Sequence, residues 1–226
     1  MLRKFFYLPL FLLVVTVLGF SLLRPITVLP RITLAPGYAF TDPDGRLVTS
    51  EDFRGKLTLY SFSYSHCLDD CPLPMETLAT LRQQLEQSPT GDVAVSLVTI
   101  SLDPERDTPA ELSEWVGPYE PAEDALIDWR VLSGDVDRTR YVVGNGFEVY
   151  YNQGDRADEL DYAVDFEPRF VLVDGWGIMR AIYRTAAPDP LAIMRDLRLL
   201  QQEARHSQGV GRLAYEAAHL FLCYPR

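Results

Sequence analysis

Apolar residues fall into three patterns along this chain. The first is an unbroken stretch, residues 5–23 (FFYLPLFLLVVTVLGFSLL), which holds no charge and lies between Arg3 and Lys4 on one side and Arg24 on the other. Its nineteen residues make about 28 Å of helix, close to the roughly 30 Å of a hydrocarbon core. A secretory signal would carry a shorter apolar stretch before an A-x-A-like cleavage site, and no such site is visible. Residues 1–24 therefore read as an uncleaved N-terminal transmembrane helix. Residues 25–37 follow with Pro25, Pro30 and Pro36, which disfavour helix and hold the chain extended. They read as a linker that lifts a domain off the membrane.

The second pattern is a series of short β-rich runs. Residues 38–41 and 46–49 flank Asp42-Pro43-Asp44-Gly45, a turn in which proline presets φ and glycine accepts a positive one, so a hairpin is expected. Residues 57–64 (LTLYSFSY) form one strand. Residues 93–102 (VAVSLVTISL) are a near-continuous apolar run suited to a strand buried on both faces. Residues 129–132 are a shorter strand, and 170–173 with 178–183 make a hairpin about Asp174-Gly175.

The third pattern has helical spacing. Leu73, Leu78, Leu81 and Leu85 place a helix over 72–87. Residues 109–116 make a second, with Asp107 or Thr108 available as its cap and Glu111 in its first turn. Residues 135–144 and 188–205 complete the set. Strands and helices in this alternation predict an α/β domain over 38–205, with a central sheet covered by helices. In residues 206–226 apolar positions run nearly all round one helix (Leu213, Ala214, Ala217, Ala218, Leu220, Phe221), so this C-terminal segment is expected to be helical and to pack on something. No internal repeat or low-complexity tract interrupts the chain.

Composition narrows the function classes. With 226 residues, 47% hydrophobic and 23% charged, the chain fits one globular domain with an appendage, which excludes disorder, collagen and coiled coil. The net charge of -11 repels phosphate backbones, so nucleic acid is excluded as a partner. Residues 1–24 contain three cations and no acid, leaving 18 basic against 32 acidic residues, or -14, on the remainder. Basic residues flank the apolar stretch on both sides and give no orientation. A close cysteine pair suits oxidising surroundings, which favours an inner-membrane protein with its domain in the periplasm or an equivalent space.

The three cysteines are Cys67, Cys71 and Cys223. Ser65-His66-Cys67-Leu68-Asp69-Asp70-Cys71-Pro72 lies between a buried strand and a helix. Pro72 is shaped for a helix's first turn, which sets Cys71 near the cap, where unpaired N–H groups and the positive dipole end favour a thiolate. Two such thiols can close a small disulfide, or can present soft sulfurs to Cu(I) or zinc. The chemistry is redox, copper, or both. A structural disulfide or two buried thiols is the plainer alternative, although a bridge closing so short a loop stabilises little.

These residues resemble the Sco/SenC family, membrane-tethered proteins of thioredoxin-like fold that serve copper delivery to cytochrome c oxidase. The resemblance covers about residues 36–200. It rests on Cys67-x3-Cys71-Pro72 after an apolar strand and on Leu102-Asp103-Pro104-Glu105-Arg106-Asp107-Thr108-Pro109 after the next. Phe147-Glu148-Val149-Tyr150-Tyr151 and Asp161-Tyr162-Ala163-Val164-Asp165 add to it. It implies copper held by Cys67, Cys71 and a distal histidine that follows the Val-Asp pair. Here Val164-Asp165 is followed by Phe166, so that ligand is missing. Cu(I) can still be held by two thiolates, whereas Cu(II) should lose affinity, and a role without any cofactor stays open. The resemblance also implies that Pro168, in Glu167-Pro168-Arg169-Phe170, stands where thioredoxin-like reductases carry a cis-proline facing their cysteines.

Cys67, Cys71 and Pro168 are thus the candidate catalytic residues, and Cys67 and Cys71 the candidate metal ligands. His66 can act on Cys67 as a cation or donate a ligand if the loop turns. Asp165 and Glu167 are hard oxygen donors better suited to salt bridges or solvent, and Asp69 and Asp70 read as solvated loop charges. His219 and Cys223 share a helix face and can bind a metal together, or simply pack. The acidic run 155–161 reads as a solvated loop or as a docking surface for a cationic partner.

The expected function, by resemblance, is Sco-type assistance to copper-site maturation of cytochrome c oxidase. The Cys67/Cys71 dithiol would either bind Cu(I) or reduce the target's cysteines, with the oxidase's copper-bearing subunit or another respiratory-complex protein as partner. Alternatives are a copper-independent thiol–disulfide oxidoreductase, and a structural subunit of a respiratory complex with vestigial cysteines.

Overall fold

The computed structural model describes residues 27–66, 74–119, 125–154, 162–207 and 209–221, together with 7–12, 14, 15, 18 and 19 near the N-terminus. The first hairpin pairs β1 (Ala39–Thr41) with β2 (Leu47–Thr49), and Gly45 takes the positive φ of 76° that its turn requires. The central strands are β3 (Leu57–Ser63), β4 (Val95–Ser101) and β5 (Asp128–Leu132), separated by the helices α1 (Pro74–Gln87) and α2 (Pro109–Val116). Next come α3 (Val136–Thr139), continued by a π-helical turn over Arg140–Gly146, and the short strands β6 (Tyr151–Gln153) and β7 (Val164–Phe166). A second hairpin, β8 (Phe170–Val173) and β9 (Met179–Tyr183), leads to α4 (Pro190–His206) and α5 (Val210–Phe221).

The main sheet has the order β5-β4-β3-β8-β9. The first three strands are parallel, and β8 and β9 run against them. Every residue of β3 and of β4 is buried, because side chains alternate between two covered faces. On one face Leu57, Leu59, Leu97, Leu172 and Ala181 meet Leu78, Leu81 and Leu85 of α1, Leu112 of α2, and Ile193, Leu197 and Leu200 of α4. On the other, Tyr60, Phe62, Val98, Ile100 and Val171 meet Phe40, Phe53, Val142, Phe147 and Val164. The two polar members in mid-sheet satisfy one another: Ser61 Oγ lies 2.9 Å from Thr99 Oγ1, which also accepts from Trp129 Nε1 at 3.1 Å.

The fold is the expected α/β thioredoxin-like one, a mixed sheet between helices, and both hairpins and α2 fall where the periodicity places them. Three differences have physical causes. Residues 135–144 do not form one helix, because the chain widens into the π turn at Arg140. It then uses a left-handed Glu148 (φ 55°) to send Phe147 and Val149, on either side of it, into the core at 1% exposure each. Residues 27–37 do not stand clear as a linker. Val28 and Leu29 are buried, and Ile32 and Ala35 donate their N–H groups to Met179 O and Gly177 O, so the segment covers the free edge of β9. The β6–β7 ribbon has no counterpart among the expected elements.

Within the stretch expected to span a membrane, residues 7–12, 14, 15, 18 and 19 are helical; the rest of it lies outside the described residues. Among the described residues no helix is long and apolar enough to cross a membrane. The C-terminal helix α5 finds its partner in α4 and in the N-terminal segment: His219 Nε2 lies 2.9 Å from Glu203 Oε1, and Arg31 and Glu216 form paired hydrogen bonds of 3.0 Å.

Candidate functional site

The carboxyl ends of β3 and β4 lie side by side, as parallel strands require, and in open α/β sheets this end is where ligand chemistry collects. Cys67, Cys71 and Pro72, with the acids Asp69 and Asp70, lie in the connection from β3 to α1, outside the described residues. The structure describes what holds that connection on both sides.

After β3, Tyr64 is buried and residues 65–66 turn. Asp107, whose side chain is wholly inaccessible, grips this turn. It accepts the Ser65 backbone N–H at 3.2 Å, the Ser65 hydroxyl, and the Ser101 hydroxyl from the end of β4. Burial pushes the Asp107 carboxyl above its ordinary value, against the pull of the hydrogen bonds from Ser101 and Ser65. Asp107 is therefore not the helix cap. Thr108 has that role, its Oγ1 accepting from Glu111 N at 3.4 Å, which frees Asp107 to face inward.

A second brace stands beside it. Asp103 is fully buried and accepts from Arg106 Nε, and from Tyr162 Oη at 2.7 Å. The Arg106 guanidinium lies 3.8 Å from the centre of the Tyr162 ring and 5.8 Å from that of Tyr64. Glu105 accepts from Gln153 Nε2 at 3.1 Å, which ties the β6–β7 ribbon to the same loop. Burial raises the Tyr162 phenol, and its hydrogen bond to Asp103 and that residue's charge raise it further. The charged run 103–107, which carried only resemblance in the sequence, is thus the structural clasp of the site.

The ribbon also places Phe166. Val164 N donates to Tyr64 Oη at 3.1 Å, and the Phe166 ring meets Tyr64 edge-on at 6.2 Å, so this position stands beside the residue that precedes the Ser65 turn. Pro168 lies two residues beyond the Ser61–Phe170 pair of β3 and β8, at the level of Ser63. Its peptide bond is not cis: among the described residues every peptide bond is trans. Just before the proline, Glu167 N is held by Tyr150 O at 3.0 Å.

Arg169 follows, buried, with one amino group 3.1 Å from Phe147 O. Burial, with Arg184 nearby, lowers its guanidinium from the usual value. Asp165 and Glu167 are exposed, as expected for solvated carboxylates, and Glu167 stands 3.8 Å from Arg169.

His219 turns toward Glu203; its proposed partner Cys223 and the acidic run 155–161 lie outside the described residues. Among the described residues no three His, Cys, Asp or Glu side chains cluster as a metal site. Sequence reasoning missed the roles of Ser65, Asp103, Asp107 and Tyr162. The signal was available: two aspartates and an arginine packed into five residues directly after a strand buried on both faces.

The SCO1/SenC family model matches residues 29–201, more than half the chain and all of the main sheet. The chain belongs to the SCO1/SenC family. Among curated relatives of this Sco domain is the bovine (Bos taurus) mitochondrial SCO2 homolog, 32% identical over 149 residues, covering 66% of this chain and 53% of that protein. The human (Homo sapiens) SCO2 homolog is 33% identical over 144 residues, covering 63% and 50%. The chain therefore spans about half the length of these relatives. Among solved structures, Bradyrhizobium japonicum ScoI with copper bound matches at a TM-score of 0.60 and 27% identity, covering 74% of this chain and 99% of that one. Arabidopsis thaliana ScoI with copper bound matches at 0.62 and 26%, covering 76% and 98%. BsSco, a member of the Sco family of cytochrome c oxidase assembly proteins with a disulfide switch, matches at 0.61 and 21%, covering 76% and 96%; at that identity the likeness concerns the fold alone.

Proposed function

We propose that this Sco protein assists the maturation of a copper site of cytochrome c oxidase, and that Cys67 and Cys71 do the work. In this reading copper is cargo: the two thiolates hold Cu(I) until a partner bearing the vacant copper site takes it. The observation that carries the reading is the clasp of Asp107 on Ser65, which fixes the chain one residue before His66-Cys67 at the carboxyl end of the parallel strands. A connection anchored at its start to a rigid sheet suits repeated loading and release of a soft ion by the thiols that follow in the sequence. The copper-bound structures of related ScoI proteins support it.

The same reading places residues 5–23 across an inner membrane and the acidic domain on the periplasmic side. The apolar stretch supports this, as does the short reach from Arg24 to Val28, where the chain is already packed on the domain.

A second reading, reduction of a target's disulfide by Cys67 with Cys71 resolving the mixed disulfide, uses the same thiols. The copper-bound structures of related ScoI proteins make copper binding the preferred reading. The test is Cu(I) titration of the full chain in detergent, with a competing chelator. One saturable site per chain, lost in both Cys67→Ser and Cys71→Ser, is the expected result. Failure to saturate would overturn copper binding, and a dithiol potential between about -120 and -270 mV would then favour the reductase.

A further inference from the structure

Residues 25–226 carry a net charge of -14, yet one helix face has the opposite sign. Along α4, Leu191, Arg195, Arg198, Gln202 and Arg205 are exposed, and their spacing of three or four puts them on one side of the helix. That side contains no acid. The two acids of α4 turn away from it: Asp196 is fully buried and accepts from Tyr183 Oη at 2.5 Å, and Glu203 accepts from Arg180 at 2.7 Å. We infer that this arginine face of α4 rests on the anionic phospholipid headgroups of the membrane that residues 5–23 are proposed to cross. The inference rests on that placement of residues 5–23.

Exposed arginines elsewhere on the domain stand beside an acid near them in sequence, as Arg46 does with Asp44, Arg138 with Asp135 and Arg140 with Asp137. Neither Arg198 nor Arg205 has an acid three or four residues away in either direction. Arg195 reaches Asp196 at 3.3 Å and is still 53% exposed. Arg212, in the first turn of α5, is exposed too.

The fold ties this helix to the chain that leaves the apolar stretch. The Nη2 of Arg180 that donates to Glu203 of α4 also donates to Leu29 O at 2.9 Å, and Arg31 pairs with Glu216 of α5. Leu29 is five residues from Arg24, a reach of at most about 18 Å, whereas α4 is about 25 Å long. The last turns of α4 are thus leashed to the bilayer boundary by less chain than the helix is long. Charge decides which face turns toward it. An anionic surface repels the acidic remainder of the domain and attracts each arginine brought near it. Guanidinium groups also suit phosphate, which they can bind through two parallel hydrogen bonds.

The experiment uses the full chain in lipid discs of zwitterionic phosphatidylcholine and in discs with phosphatidylglycerol added. Arginine modification by a dicarbonyl reagent is followed residue by residue with mass spectrometry. Arg198 and Arg205 are expected to react about fivefold more slowly in the anionic discs, and the difference to vanish in about 1 M salt, where the Debye length is about 3 Å. Arg46 and Arg140, each 70% exposed on other parts of the fold, are expected to react equally in both discs. Arg212 is expected to be protected with the α4 pair, and to lose that protection in Arg198→Gln/Arg205→Gln with an unchanged thermal melt. Equal rates for Arg198 and Arg205 in the two discs would overturn the inference. Protection that follows protein concentration instead of lipid charge would overturn it as well, and would give the face to a second protein molecule. Retention by vesicles through an alkaline carbonate wash reads residues 5–23 separately. A chain released by that wash yet protected by anionic lipid would keep the arginine face and lose the span.

Discussion

Asp107 accepts the backbone N–H of Ser65 at 3.2 Å across 42 residues of sequence, and with its hydroxyl bonds to Ser65 and Ser101 it joins the end of β4 to the start of the cysteine connection. The turn ahead of Cys67 is therefore set by a carboxylate from the loop that follows β4.

Replacing Asp107 by alanine removes the acceptor for three donors in a buried place. Hydrogen bonds to a charged group contribute roughly 1.5–3 kcal/mol, so Asp107→Ala should destabilise the domain by about 3 kcal/mol. For a domain of this size that lowers the melting temperature by roughly 6–12 °C, read by thermal circular dichroism. The thiols should also react faster with a bulky disulfide reagent below the melting range, because the turn before them has lost its anchor. An unchanged melt would mean that the clasp does not hold the loop.

Tyr162→Phe keeps the ring over Arg106 and removes the hydroxyl from Asp103 and Glu105. The expected cost is about 1–3 kcal/mol, measured by urea unfolding with an unchanged slope. Arg106→Met should cost more, about 3–5 kcal/mol, because it leaves Asp103 charged and buried. Equal costs for the two would show that the tyrosine, not the ion pair, holds the brace.

Phe166→His places an imidazole beside Tyr64, the residue that precedes the Ser65 turn. Cu(II) affinity should rise about tenfold or more, since nitrogen donors suit that ion, at a stability cost of about 0.5–1.5 kcal/mol for the lost aromatic contact. Competition against a chelator measures the gain, and equal Cu(II) binding by variant and wild type would place the missing ligand elsewhere.

Glu203 gives the protein an acid-sensitive tie. Burial alone would raise its carboxyl, but hydrogen bonds from His219 and Arg180, and their charges, outweigh that and hold it at about 2 against an ordinary 4.5. A depressed carboxylate contributes stability that is fully present above pH 4.5 and is lost as pH falls from there toward 2. About 2 kcal/mol should disappear over that window after allowance for solvent screening, and the same loss should be absent in Glu203→Gln. Arg180 also holds Leu29 O at 2.9 Å and Pro30 O at 3.1 Å, so residues 27–37 and α5 should exchange their amide hydrogens faster in that range than the β3–β4 core does.

Much of this fold is written locally. Leu57 to Ser63 and Val95 to Ser101 are apolar enough to require burial on both faces, Asp42 to Gly45 can hardly be other than a turn, and Thr108-Pro109 starts a helix by its own chemistry. The cysteine spacing and its position between strand and helix likewise point to soft-ion or redox chemistry. Three-residue strands such as Tyr151–Gln153 and Val164–Phe166 carry too few positions to show a period, and their pairing spans a long connection, so they emerged only in three dimensions.

What the sequence alone determined is most of the elements and their layering, because hydrophobic periodicity and turn residues act over a few neighbours. What only the tertiary structure decided is which polar side chains turn inward. Asp107 could cap its own helix or reach Ser65, and residues 27–37 could hang free or cover β9. Those choices depend on which donors and edges are left unpaired by distant strands, and a buried polar group must find its partner wherever the fold has left one.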